Sequence, residues 1–89
     1  MKLKYKFVVK EVAGKPVALA VGKDSVRFNG MINLNETGKI IFELINERDV
    51  TEQEIVNTLV DMYKIDSETA ESGVKHFVSG LRENGLIEE

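Results

Sequence analysis

The hydrophobic period changes once along this chain, at Ile32-Asn33-Leu34-Asn35-Glu36-Thr37-Gly38. Upstream, apolar and polar residues alternate as on a half-buried strand; downstream, Ile40, Ile41, Leu44 and Ile45 recur at helical spacing. Asn35 sits at the change, where a short polar side chain accepts a hydrogen bond from the first free N–H groups of a helix. A chain that is β before this point and α after it is confined to the α+β class.

The β half predicts three strands. Tyr5, Phe7 and Val9 alternate with Lys4, Lys6, Val8 and Lys10 in the first, whose lysines discourage unwanted edge pairing. Gly14-Lys15-Pro16 reads as a turn, Val17 to Val21 as a short apolar strand, and Gly22-Lys23-Asp24 as a second turn. The third strand runs from about Val26 to Leu34. Val26, Phe28, Gly30, Ile32 and Leu34 share one of its faces, and Arg27, Asn29, Met31 and Asn33 the other. Gly30 weakens this strand, as a bulge or as a place where another backbone comes close, the bulge being the plainer reading.

The α half predicts three helices. The first, about Glu36 to Asn46, buries Ile40, Ile41, Leu44 and Ile45 and carries Phe42 on a flank. The second opens with the capping box Thr51-Glu52-Gln53-Glu54 and places Ile55, Val56, Leu59, Met62 and Tyr63 on one stripe. Asp66 or Ser67 caps the third, over 67–84, whose buried stripe is Ala70, Val74, Phe77, Val78 and Leu81. Gly85 lies just past its end, and Leu86 and Ile87 fold back as an apolar stopper. The expected fold is winged-helix-like: a three-stranded antiparallel sheet followed by three helices, in one domain spanning 1–89.

Several function classes drop out. The chain has no cysteine, so disulfide frameworks and thiolate metal sites are excluded, and cytoplasmic residence is compatible with that. No apolar run approaches the roughly 18 residues of a membrane span, and no signal-peptide pattern is expected. His76 is the only histidine, which leaves no His-rich metal site and no Ser-His-Asp relay. Nucleotide-binding glycine patterns are absent. A non-enzyme without cofactors is expected. The helix pair after Asn46 could form a helix-turn-helix, and a DNA-binding regulator is one alternative. The net charge of −3 and the mixture of Glu68, Glu71 and Glu83 with Lys75 and Arg82 on the third helix weigh against nucleic acid. An adaptor that docks only to another protein is a further alternative. Gly73 and Gly80 stand seven residues apart, on nearly one side of the third helix. They are either tolerated weaknesses of that helix or a smooth strip beside Phe77 for an extended peptide.

Leu34-Asn35-Glu36-Thr37-Gly38 with Ile41, Phe42 and Leu44 resembles the Leu-Asn-x-Thr/Ser-Gly/Ala-x-x-Ile-aromatic-x-Leu block of PqqD-like proteins. Thr51-x-x-Glu54-Ile55-Val56 is similar to that family's second-helix opening. Tyr63-x-x-Asp66, Ala70, Val74, Phe77, Val78, Leu81 and Gly85-Leu86-Ile87 are similar to its third helix and ending. Phe42 stands where tryptophan is frequent, and Asn46-Glu47 where Asp-Gly is frequent. The family comprises recognition elements for ribosomally synthesised, post-translationally modified peptides. The resemblance therefore implies a peptide chaperone, related to those of PQQ biosynthesis, that binds a precursor's leader by strand addition and presents it to a modifying enzyme, commonly a radical S-adenosylmethionine protein. The implied edge is Arg27, Phe28, Asn29, Gly30, Met31, Ile32 and Asn33. The groove wall, assigned from the helical wheel, is Gly73, Val74, His76, Phe77 and Gly80. Neither nucleic acid nor membrane is an expected partner, and the chain is expected to be a monomer or a homodimer.

Overall fold

The structure, a computed structural model, describes residues 1–28 and 30–88. Its elements in chain order are β1 Lys2–Leu3, β2 Phe7–Val12, β3 Lys15–Ala20, α1 Asp24–Arg27, β4 Met31–Asn33, α2 Glu36–Glu47, α3 Glu52–Tyr63, α4 Ser67–Glu83 and β5 Ile87–Glu88. The architecture is α+β, with an antiparallel three-stranded sheet ordered β2-β3-β4 and the long helices after it.

β2 and β3 form a hairpin in which Val12 pairs with Lys15. Its two-residue loop, Ala13-Gly14, has φ values of 53° and 78°, the left-handed pair that a type I′ turn requires. The turn thus sits one residue earlier than Gly14-Lys15-Pro16, and Lys15 and Pro16 open β3 instead. Pro16 stands at the end of the pairing with β4, where its carbonyl still accepts from the Leu34 N–H at 3.0 Å. Strands β1 and β5, not expected from periodicity, pair Leu3 with Ile87 and tie the chain's two ends together.

The expected third strand is the main correction. It shrinks from Val26–Leu34 to Met31–Asn33, and a single helical turn, α1, takes its beginning. Side-chain bonds to the backbone, one local and one distant in sequence, hold this stretch off the ladder. The Asp24 carboxylate accepts from the Lys6 N–H at 2.8 Å, and the Ser25 hydroxyl donates to the Gly22 carbonyl at 2.8 Å. Val26 is consequently 86% exposed rather than buried. Gly30 forms no bulge and receives no close backbone. It is the hinge into β4, at φ +152°, a conformation L-residues seldom adopt, with nothing within 4 Å of where a Cβ would lie.

Asn35 caps α2 by accepting from the Gly38 N–H at 2.6 Å. The residues α2 buries are Gly38, Ile41, Phe42 and Ile45, with Ile40 and Leu44 only half-buried. Phe42 is therefore central, not flanking. Its ring is fully buried and meets Phe7 of β2 edge-to-face at 5.2 Å. On α3, Thr51 and Glu54 form the reciprocal capping box, and Ile55, Val56 and Leu59 are buried. Met62 and Tyr63 are exposed, contrary to expectation, because they lie in the last turn, just before Lys64 turns left-handed at φ 55°. On α4, Asp66 is the cap, and Ala70, Val74, Val78 and Leu81 join the core. Gly85 donates to Arg82 at 2.9 Å and Leu86 to Leu81 at 3.0 Å, the paired bonds of a Schellman ending that buries Leu86.

The cap bonds make the helix starts acid-sensitive. The Thr69 N–H holds the Asp66 carboxyl below the ordinary aspartate range, and the Thr51 N–H and Arg48 do the same for Glu54. A carboxyl depressed in the folded state stabilises above its unfolded pKa and loses that contribution as pH falls through the folded one. Stability is therefore expected to decline below about pH 4. Asp66→Asn, which still caps but does not titrate, is expected to give a shallower decline in urea midpoint between pH 5 and pH 2.5.

Candidate groove between the edge strand and the last helix

Strand β4 has β3 on one side and, among the described residues, no strand on the other. Its open side can be read from the ladder. Leu34 donates across to Pro16, and Ile32 lies opposite Ala18 two residues away, so these positions exchange bonds with β3. Met31 and Asn33 lie between them, opposite Leu19 and Val17, and direct their N–H and C=O groups outward. The free edge therefore offers two donors and two acceptors at strand spacing.

Beside that edge lies a groove of about 430 Å³. Phe28, Met31 and Ile32 form one wall, α4 contributes His76, Phe77, Gly80 and Leu81, and Asn84 and Leu86 just after it close the groove. A second hollow of about 200 Å³ lies between α4 and the start of α2, lined by Asn35, Thr37, Gly38, Ile41, Gly73, His76 and Phe77. His76 and Phe77 belong to both, so the two hollows flank one residue pair.

The expected site residues divide accordingly. Phe28, Met31, Ile32, His76, Phe77 and Gly80 meet in the larger groove, and Gly73 lines the smaller hollow. Asn33 lies on the edge itself. Arg27 does not join them: it sits on α1, exposed, 4.0 Å from Asp24. Val74 is fully buried and braces α4 from the core side. Gly30 hinges the edge without lining a hollow, and Asn29 lies outside the described residues. The helical wheel did not supply Leu81, Asn84 and Leu86, although Gly80 and Asn84 continue the stripe of His76 at four-residue steps. Nor did it supply Asn35, Thr37, Gly38 and Ile41, which belong to the period-change segment.

Glycine works in opposite ways at the two hollows. A Cβ on Gly38 would stand 2.9 Å from Cε1 of Phe77, so this glycine is the seat on which the Phe77 ring rests. Gly73 and Gly80 have nothing within 4 Å of a Cβ position. Gly73→Ala and Gly80→Ala are each expected to raise the unfolding free energy by about 1 kcal/mol, read as a higher urea midpoint. The space they leave is open to something other than this chain.

Among the described residues, no group of three or more His, Cys, Asp and Glu side chains is placed to hold a metal, and no helix is long and apolar enough to cross a membrane. No curated protein matches the chain. Two solved structures share its fold. TbiB1 in complex with the TbiA(beta) leader peptide superposes with a TM-score of 0.73 at 24% identity, over 99% of this chain and 95% of that one. Lasso peptide synthetase B1 complexed with the leader peptide superposes with a TM-score of 0.71 at 20% identity, over 99% and 96%. The family model for coenzyme PQQ synthesis protein D matches residues 17–87, from β3 through the Schellman ending to β5. The chain belongs to the coenzyme PQQ synthesis protein D (PqqD) family.

Proposed function

We propose that this protein is a non-catalytic recognition element that binds the leader of a ribosomally made precursor peptide by strand addition. The observation that carries the reading is the free edge of β4 running alongside an apolar groove. An added strand takes affinity from main-chain hydrogen bonds and selectivity from hollows for alternate side chains, and this surface supplies both. The family and the leader-bound proteins that share the fold support the same use. The bound leader is then held for a modifying enzyme, for which a radical S-adenosylmethionine protein is our first choice, in the cytoplasm where the precursor is made.

The two exposed glycines test how the peptide lies. If it runs close against α4, Gly80→Ala stabilises the fold and weakens leader binding together; a glycine without purpose gives the first effect alone. The function itself is tested by fluorescence polarisation with a labelled synthetic leader from the precursor encoded beside this gene. Saturable binding of the leader, and none of the precursor's core segment, is the expected result. Equal binding of the leader and a scrambled leader would sink the reading.

A further inference from the structure

His76 is exposed, lines both hollows, and is the only ionisable side chain among the residues that line them. No other residue that lines the two hollows is charged; charged residues adjoin the lining at Arg27, Glu36, Arg82 and Glu83, of which Glu83 lies seven positions along α4 from His76. The loop and β4 contribute Phe28, Met31 and Ile32, and the start of α2 contributes Asn35, Thr37, Gly38 and Ile41. The stretch after α4 contributes Asn84 and Leu86. On α4 itself, the positions one turn away are Ser72, Gly73, Ser79 and Gly80, and the neighbouring Lys75 projects about 100° further round the helix. An imidazole changes charge between pH 5 and 8, within the range where proteins work.

We infer that the groove holds its peptide against a neutral His76, so that binding is coupled to release of the imidazole's proton. The inference rests on the leader-binding reading above. A strand laid along Met31–Asn33 and against α4 covers His76 and separates it from water. The rest of the lining is apolar or neutral, so nothing there compensates an imidazolium. Covering a cation under those conditions disfavours its charged form, and the proton passes to solvent as the peptide binds. The sign follows. Affinity is highest where the imidazole is neutral and falls as pH drops through its titration.

The test is binding of the labelled synthetic leader, measured from pH 8 to pH 5.5, for the native protein and for His76→Gln. Glutamine keeps hydrogen-bonding capacity and does not titrate in this range. One unit of pKa depression on binding corresponds to about a tenfold loss of affinity at low pH. A loss of that order in the native protein, absent in His76→Gln, is the expected result. Parallel pH profiles for the two proteins, whatever the variant's affinity at pH 8, would overturn the inference and leave leader binding standing. Affinity that rises on acidification in the native protein alone would also overturn it, by showing that the peptide brings a carboxylate to His76. No binding by either protein at any pH removes the leader-binding reading, and this inference with it.

Discussion

Asn33→Pro is expected to weaken leader binding by about 2 kcal/mol, roughly thirtyfold, while changing unfolding stability by less than about 1 kcal/mol. The separation of the two effects comes from the ladder. Asn33 stands opposite Val17, and its N–H points away from β3, so removing it breaks no bond within the sheet. Proline is tolerated on an edge strand when its missing N–H faces solvent. The residue before it, Ile32, is already in a strand, the conformation that a following proline favours. For an incoming strand the same change removes a donor and puts a ring where its backbone must lie. Two experiments check it: leader titration by fluorescence polarisation, and urea unfolding of the free protein. Unchanged affinity would mean that the peptide does not pair with β4. A collapse of stability would mean that Asn33 faces β3 after all.

Gly38→Ala carries the second large effect, with a sign opposite to that of the other two helical glycines. Alanine is worth about 1 kcal/mol over glycine inside a helix, and at Gly73 and Gly80 nothing opposes that gain. At Gly38 the new methyl would stand 2.9 Å from the Phe77 ring and 3.0 Å from Oδ1 of Asn35, the oxygen that caps α2. Overpacking of this kind costs about 1–3 kcal/mol, so the helix gain is cancelled or outweighed, with a net loss of up to about 2 kcal/mol expected. The ring has to move, and it borders both hollows, so leader affinity is expected to fall as well. A urea-unfolding series of the three alanine variants decides the matter. A gain at all three positions would show that Gly38 is no seat for Phe77.

These two positions show how far the chain could be read in advance. The capping residues Asn35, Thr51 with Glu54, and Gly85 act on backbone groups a few residues away, so their spacing alone identifies them, and for the last helix it narrows the cap to Asp66 or Ser67, of which Asp66 is the one observed. The buried positions of α3 before its last turn and most of those of α4 follow from helical period for the same reason. What escaped the reading depends on contacts distant in sequence. The third strand loses its beginning to α1, which Asp24 opens while its carboxylate is bonded to the Lys6 N–H, eighteen positions away. Phe42 goes to the centre because Phe7 meets it there, and neither ring announces the other.

The site was legible to a similar depth. The resemblance implied the edge that holds Ile32, the helical wheel put His76, Phe77 and Gly80 on one wall, and the structure brings these four to one groove. Periodicity could not tell that Val74 points inward while its neighbours on the wheel line the hollows, because that depends on the rotation of α4 against the core. It also treated the period-change segment as structural alone. Gly38 joins the two roles: the residue that lets Asn35 cap α2 also lets Phe77 sit down between the hollows.

The central claim, that a leader peptide adds to the open edge of β4 and lies against α4, is tested most directly by titrating the ¹⁵N-labelled protein with the unlabelled leader. The account predicts amide shifts concentrated at Met31, Ile32 and Asn33 and along α4 and its C-cap, from Gly73 to Asn84. It also predicts intermolecular backbone nuclear Overhauser contacts from Met31 and Asn33. Shifts confined to the outer strand on the other side of the sheet, along Phe7–Val12, or no shifts at saturating leader, would contradict it.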